Sequence, residues 1–480
     1  MRLIARDFGP LHNIDIELKP MTVVIGKNNL GKSFLAQLIY VVLNTLRDVP
    51  ARATYYRWIA LDDRDSNITN LKKIVSRIKK EHASEIQIVD EVARIALSKN
   101  EEILGEMIRQ GIARAFGPDI SRLINITARS ATVCCDAFKN VNLTIVLTRR
   151  ETIKVSLQIS KEVVESLSLK HADTIGKILQ KRQKMRYIEV LLYELLRDLT
   201  TLKEEFPEVV LSKSGRTRQS AYYVPAGRGG LIESFDTVVD SLFYDAASTP
   251  AQGISVAPLP GMAAQFYVLL RSLEGNKRPL NRDVMNLFKD LLGGDIRLQP
   301  VRLVRGLRPL RNRMVYTFQL GNKTSTTDVT RAASMIKEIA PIYLIVQELV
   351  YPGQFLIIEE PESHLHPGAQ SKLTKIFATL VNHKVNVLLT THSTILVRKM
   401  AHFVGRLPDE TQPILKRESV ALYWLKEGKR GSTAKPIKIS RKGTLDEIPT
   451  FDEAIKELYE EEESLARQIK IEEATTIRTP

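Results

Sequence analysis

Over the first 20 residues apolar and polar side chains alternate. Leu3 and Ile4 fall in one run and Ile14, Ile16 and Leu18 in another, with Gly9-Pro10 between them. A period of two predicts a hairpin, and the apolar stretch from Thr22 to Ile25 predicts a third strand behind it. From Ser33 to about Leu46 the spacing of Leu35, Leu38, Ile39, Val42 and Leu43 is helical. Helical interleaving of charged and apolar residues returns from about Asn70 to Phe116 and from about Lys161 to Phe206. Between them, residues 131–160 alternate β-branched positions in a way that predicts three antiparallel strands. Strands are expected again over Asp295 to Leu320 and a helix over Val329 to Val350. The short apolar runs FLII from Phe355 and VNVLLT from Val385 have the uniform character of parallel strands buried on both faces. The pattern is that of an α/β protein.

The third strand runs into Gly26-Lys27-Asn28-Asn29-Leu30-Gly31-Lys32-Ser33, and a helix follows at once. This is a P-loop in strand–loop–helix context. Gly26 and Gly31 permit backbone angles and close approach that a Cβ would block, so successive N–H groups can point at phosphate oxygens. Lys32 is expected on the β- and γ-phosphates, Ser33 on Mg²⁺, and the helix dipole favours the anion. ATP and Mg²⁺ are the implied ligands.

The run ending at Ile358 continues as Glu359-Glu360-Pro361-Glu362-Ser363-His364-Leu365-His366-Pro367. Two carboxylates at the end of a buried strand are costly unless they serve a cation or a reacting water. Glu359 is therefore the candidate Mg²⁺ contact, with Glu360 orienting and deprotonating the water. The second apolar run ends in Thr391-His392-Ser393, which places His392 at a strand end beside the same site.

FGPLHNIDIELKPMTVVIGKNNLGKS, FLIIEEPESHLHP and LLTTHS together resemble the ABC-class ATPases of the SMC, RecF and OLD type, in the branch with an EEPE-x-HLHP Walker B. The resemblance covers roughly residues 1–50 and 325–400. It implies an ABC-type ATPase head with an antiparallel β-lobe and a long helical insertion. It also implies that Glu360 is the catalytic base, that Ser363 and His364 lie in the D-loop (Ser363 to His366), and that His392 senses the γ-phosphate. The composite site would close when two heads dimerise, with Ser334 of the segment Ala332 to Glu338 reaching the partner's ATP. Met335 stands where the family usually has glycine, a departure that restricts backbone approach. Tyr222 to Arg228 is similar to the family's YxPA-x-R segment. Arg228 is thus either a residue near the nucleotide or a surface arginine at a helix start.

Length allows two to four units in 480 residues. The expected division is 1–60 (head, P-loop), 61–220 (helical insertion carrying the strands at 131–160), 221–400 (head, signature-like segment and Walker B), 401–444 (basic β/loop region) and 445–480 (acidic helical tail).

Charge adds a separate signal. Lys and Arg number 70 against 55 Asp and Glu, a net of +15, while the last 36 residues hold 11 acidic and 4 basic side chains. Arg297, Arg302, Arg305, Arg308, Arg311 and Arg313 form a run without an acidic residue. They suit a polyanion such as DNA, or else a solvated face or a partner for the acidic tail. Smaller basic clusters lie at Lys181–Arg186 and Lys213–Arg218. Cys134 and Cys135 are adjacent, which disfavours a disulfide between them and fits a reducing cytosol. No run of about 18 apolar residues predicts a membrane span, and a cytoplasmic protein is expected.

The OLD family's TOPRIM nuclease has no counterpart in the carboxylates at Asp446-Glu447 or Glu460–Glu463. The expected function is an ATPase that dimerises around ATP in anti-phage defence, working with a separately encoded nuclease or toxin. The alternatives are a RecF- or SMC-like repair ATPase acting directly on DNA and, disfavoured by the long insertion, the ATPase subunit of a transporter.

Overall fold

A computed structural model describes residues 1–47, 84–180, 184–199, 220–234, 261–273, 282–301, 311–405, 414–445 and 457–465. The strands are β1 (Arg2–Phe8), β2 (Leu11–Glu17), β3 (Met21–Gly26), β4 (Ser130–Cys135), β5 (Asn142–Thr148), β6 (Ile153–Gln158) and β7 (Ala221–Val224). They continue with β8 (Gly294–Val301), β9 (Arg311–Leu320), β10 (Lys323–Asp328), β11 (Phe355–Glu359), β12 (Asn386–Thr391), β13 (Val420–Lys426) and β14 (Ser432–Ile437). The helices are α1 (Lys32–Arg47), α2 (Glu85–Phe116), α3 (Lys161–Lys170), α4 (Ala172–Gln180), α5 (Lys184–Leu199), α6 (Gly261–Arg271), α7 (Arg282–Leu292), α8 (Ser334–Glu348), α9 (Pro367–Asn382) and α10 (Thr394–Gly405).

Eleven of these strands form one mixed sheet in the order β6-β5-β4-β1-β2-β14-β13-β3-β12-β11-β7. Its half around β3 is parallel: β3 lies between β12 and β13, with β11 and β7 beyond β12. Side chains of these strands alternate between two cores, which is why their sequences read as continuous apolar runs. Val24, Ile357 and Leu388 face the core shared with α1 and α2. Val23, Ile25, Leu356, Ile358, Val387 and Leu389 face the core shared with α8, α9 and α10.

The strands at 131–160 are three antiparallel strands, as expected, but they do not stand apart inside a helical insertion. β4 pairs with β1, so β4, β5 and β6 extend the main sheet and form the antiparallel lobe, against which α2 packs. Residues 420–437 likewise belong to the main sheet rather than to a separate basic region: β13 pairs with β3 from Val420 to Leu425, and β14 pairs with β13 and β2. The head therefore continues past residue 400.

The second sheet is β10-β9-β8. Residues 457–465 are helical and exposed throughout. Among the described residues, no helix is long and apolar enough to cross a membrane.

Candidate functional site

The parallel register carries the ends of β3, β11 and β12 to one edge of the sheet. Thr391 is opposite Ile25, and Glu359 is opposite Thr390. The loop after β3 enters α1 through Gly26 at φ +157°, Asn29 at φ +62° and Gly31 at φ +83°. A Cβ on Gly31 would stand 2.7 Å from Pro10 Cγ, so the β1–β2 turn presses directly on the loop and only glycine fits there. Lys27, Asn28, Asn29 and Ser33 are exposed, Leu30 is half-buried and Lys32 is buried. Lys32 Nζ donates to the carbonyl oxygens of Gly26 (3.0 Å) and Lys27 (2.9 Å), folding its ammonium back over the loop. Burial pushes the Lys32 ammonium down, opposed by Glu360, Glu362 and Glu359. These three carboxylates thus share the ammonium's electrostatic environment.

Glu359 ends β11 and is 5% exposed. Its Oε1 accepts from the Tyr223 hydroxyl at 2.5 Å and its Oε2 from the Ala226 N–H at 3.2 Å, so the carboxylate is fixed from the β7 side. Burial first, then the charge of Glu359, drives the Tyr223 phenol well up, so it stays protonated and donates. Glu360 follows at φ +41°, a conformation rarely adopted by a non-glycine residue. Its side chain is partly exposed, and His392 Nε2 lies 3.7 Å from Glu360 Oε1. Burial and the nearby Lys32 push the His392 imidazole down, opposed by Glu360.

Arg228 explains how the strained turn is held. It is fully buried, which overturns the reading as a surface arginine, and it lies against the backbone of the turn that carries Glu359 and Glu360. Its guanidinium donates to the carbonyl oxygens of Glu359 (2.9 Å), Glu360 (3.4 Å), Pro361 (3.4 Å) and Pro225 (3.3 Å). Nε donates to Glu338 O at 2.9 Å and lies 3.1 Å from Glu338 Oε2. Arg228 is therefore neither a surface arginine nor free to reach a phosphate, because its planar fork is occupied by the turn and by α8. Burial pushes its guanidinium down, opposed by Glu338 and the three carboxylates of the turn.

Ser334 opens α8 and is exposed, whereas Met335 is half-buried and packs on the second core. A methionine at that position thus serves α8 as core. Ser363 and His364 lie on the turn before α9, with His364 exposed at φ +58°. His366 caps α9, its Nδ1 accepting from the Gly368 N–H at 3.2 Å, with Pro367 at the first helical turn.

Of the arginine run, Arg302, Arg305 and Arg308 and the side chain of Arg311 lie outside the described residues, as do the clusters at 181–183 and 213–218. Arg297 sits 3.2 Å from Asp295, and Arg313 is ion-paired with Asp328. Both are on the three-stranded sheet, and each already has a carboxylate partner.

Sequence reasoning passed over Tyr223, Glu338 and Glu362. Each carries a detectable signal: a phenol on a wholly buried strand, a lone acid in the apolar helix IKEIAPIYLIV, and a third carboxylate in EEPE. A buried polar group of this kind requires a partner.

For a bound metal, the described residues contain no group of three or more His, Cys, Asp or Glu that could form a cage. Magnesium does not need one, since it is commonly held by one or two side chains and substrate phosphates. Exposed Ser33 and the fixed carboxylate of Glu359 suit that mode.

Comparison with known proteins adds the following. A family model described as an AAA ATPase domain matches residues 1–205, and one described as an AAA domain, putative AbiEii toxin, Type IV TA system, matches residues 336–398. No curated protein matches. Three of the solved structures this chain is similar to are SMC heads. The SmcHead bound to the C-winged helix domain of ScpA has 12% identity and TM-score 0.41, covering 92% of this chain and 98% of that one. The SMC head domain from Thermotoga maritima has 13% identity and TM-score 0.37, covering 91% and 98%. The Smc head with an extended coiled coil bound to the C-terminal domain of ScpA, from Pyrococcus furiosus, has 10% identity and TM-score 0.39, covering 96% and 98%. The two matched spans hold the P-loop motif and the Glu359-Glu360 turn respectively.

Proposed function

We propose that the protein is an ABC-class ATPase, hydrolysing ATP to ADP and phosphate, that dimerises around ATP and drives DNA-linked work as the ATPase component of an anti-phage defence system with a separate effector. The observation that supports the reading most is the convergence of Lys32, Glu359, Glu360 and His392 at adjacent strand ends, with His392 3.7 Å from Glu360. The loop Gly26 to Ser33 binds the phosphates through backbone N–H groups, and Lys32 leaves its carbonyl partners to neutralise them. Ser33 and Glu359 would hold Mg²⁺, which would supply positive charge to offset that developing on the phosphates. Glu360, partly exposed, orients the water and accepts its proton, and His392 stands beside it to read the γ-phosphate. Ser334, exposed at the start of α8, would meet the ATP of a second head.

The defence role is supported by the likeness of residues 336–398 to a family described by reference to a type IV toxin–antitoxin system. A repair ATPase binding DNA directly is the second reading, favoured by the net charge of +15 and by the exposure of Arg297 and Arg313. A pull-down with Glu360→Gln protein separates them: a co-purifying nuclease or toxin supports the first, duplex DNA without a partner protein the second. The ATPase assignment itself fails if the unsubstituted protein with Mg²⁺ turns over no ATP, or if Glu360→Gln leaves turnover unchanged.

A further inference from the structure

Glu362 is the third carboxylate of the turn and has no part in the reaction described so far. Because β11 and β12 are adjacent and parallel, the turns that leave them run side by side, and Glu362 bridges the two. Its Oε1 accepts from the backbone N–H of His392 at 2.6 Å, a short charge-assisted bond. The Thr391 side chain also contributes, and Thr391 Oγ1 accepts in turn from the Ser393 N–H at 2.9 Å.

A second bridge runs in parallel. The Ser393 hydroxyl donates to Gln370 Oε1 at 2.6 Å, and Gln370 Nε2 donates to Leu365 O at 2.9 Å. Residues 362–370 and 391–393 thus form one hydrogen-bonded unit that carries His392 on one side and exposed His364 on the other. The remaining oxygen of Glu362, Oε2, is buried without a hydrogen-bond partner. A buried carboxylate with one bare oxygen is a costly choice for packing alone. Burial, with the Glu360 charge adding, pushes the Glu362 carboxyl up.

Resting on the ATPase reading above, we infer that Glu362 is a positioning residue: its bond to the His392 N–H holds the histidine against Glu360 and ties that placement to the 361–366 turn. A second head that presses on the exposed part of this turn would then move His392 directly, with no intervening element.

Glu362→Gln keeps an oxygen acceptor of the same reach. Glu362→Asp keeps the charge but withdraws it by about 1.5 Å, one carbon–carbon bond, and Glu362→Ala removes it. Turnover at saturating ATP, ATP affinity and thermal midpoint are measured for each, alone and combined with His392→Ala. Displacements near 1 Å cost up to about a hundredfold in rate, so Glu362→Ala and Glu362→Asp should lose about tenfold to a hundredfold in turnover with ATP affinity retained. Glu362→Gln should stay close to the unsubstituted protein. In the His392→Ala background Glu362→Ala should cost nothing further, which a purely structural role would not produce.

Full turnover by Glu362→Asp, loss by Glu362→Gln equal to that of Glu362→Ala, or a further loss in the double variant would overturn the inference while leaving the ATPase assignment standing. If Glu362→Ala does not fold, the Gln and Asp pair decides alone. Absence of turnover in the unsubstituted protein removes both readings.

Discussion

Glu338 and Arg228 allow stability and activity to be separated by substitution. Glu338 is 2% exposed and faces the fully buried guanidinium of Arg228, so Glu338→Gln leaves a buried cation without its nearest anion. Breaking a buried pair by removing one partner costs about 3–5 kcal/mol. The substituted amide would still accept from the Gly229 N–H as Glu338 Oε1 does at 3.2 Å, and the Arg228 bonds to the turn would persist. Arg228→Lys does the reverse. It keeps a cation beside Glu338 but loses the fork, including the two 2.9 Å bonds to Glu338 O and Glu359 O. A buried carbonyl stripped of its donor costs about 1–3 kcal/mol, so the total for two is of the same order as for Glu338→Gln.

At about 2–4 °C per kcal/mol for a unit of 150–250 residues, either substitution should lower the thermal midpoint by roughly 5–20 °C. Only Arg228→Lys releases the carbonyls that hold Glu360 at φ +41°, so turnover measured at about 20 °C below each variant's own midpoint should fall in Arg228→Lys and persist in Glu338→Gln. A midpoint for Glu338→Gln within about 2 °C of the unsubstituted protein would refute the energetic reasoning. Equal loss of turnover in both variants would refute the separation.

Gly31→Ala should abolish binding of a fluorescent ATP analogue, because its Cβ would collide with Pro10 2.7 Å away at a backbone φ of +83°; retained affinity would mean the turn gives way. Tyr223→Phe removes the 2.5 Å donor to Glu359, so the Mg²⁺ concentration for half-maximal turnover should shift several-fold, and an unchanged titration argues against Glu359 as a metal contact. His392 has its imidazole pushed below the ordinary 6.5, so the folded state binds fewer protons than the unfolded one and stability is lost as pH falls through 6.5. His392→Asn should therefore lose less of its thermal midpoint than the unsubstituted protein between about pH 7.5 and 5.5; parallel curves would contradict this. Charge reversal at both Arg297 and Arg313 should weaken duplex DNA binding and flatten its salt dependence by about two charges, if DNA is bound through that sheet.

The parts of the head that were legible in sequence are those whose physics is local. The P-loop needs glycine at Gly26 and Gly31, and strands buried on both faces spell themselves as VVI, LII and VLL. Long-range pairing was not legible. VALYWLK at Val420–Lys426 reads as an ordinary strand, and nothing in it names β3 as its neighbour, some 400 residues earlier. The strands at 131–160 were recognisable as strands but not as the continuation of β1. Arg228 was visible as a residue of interest and not as a buried clamp, because its partners are backbone carbonyls, which have no sequence signature, and Glu338, which is 110 residues away.

The interleaving of β3 between β12 and β13 also sets an order of events during synthesis. The strand that leads into the P-loop is complete at Gly26, yet one of its two neighbours is complete only at Lys426. At about 5–20 residues per second, the nucleotide-binding strand waits roughly 20–80 s with an apolar edge unpaired. Non-local pairing of this kind is intrinsically slow, and an exposed apolar edge is where misfolding begins. The nascent chain should therefore be most vulnerable to aggregation and proteolysis between emergence of the P-loop and emergence of β13.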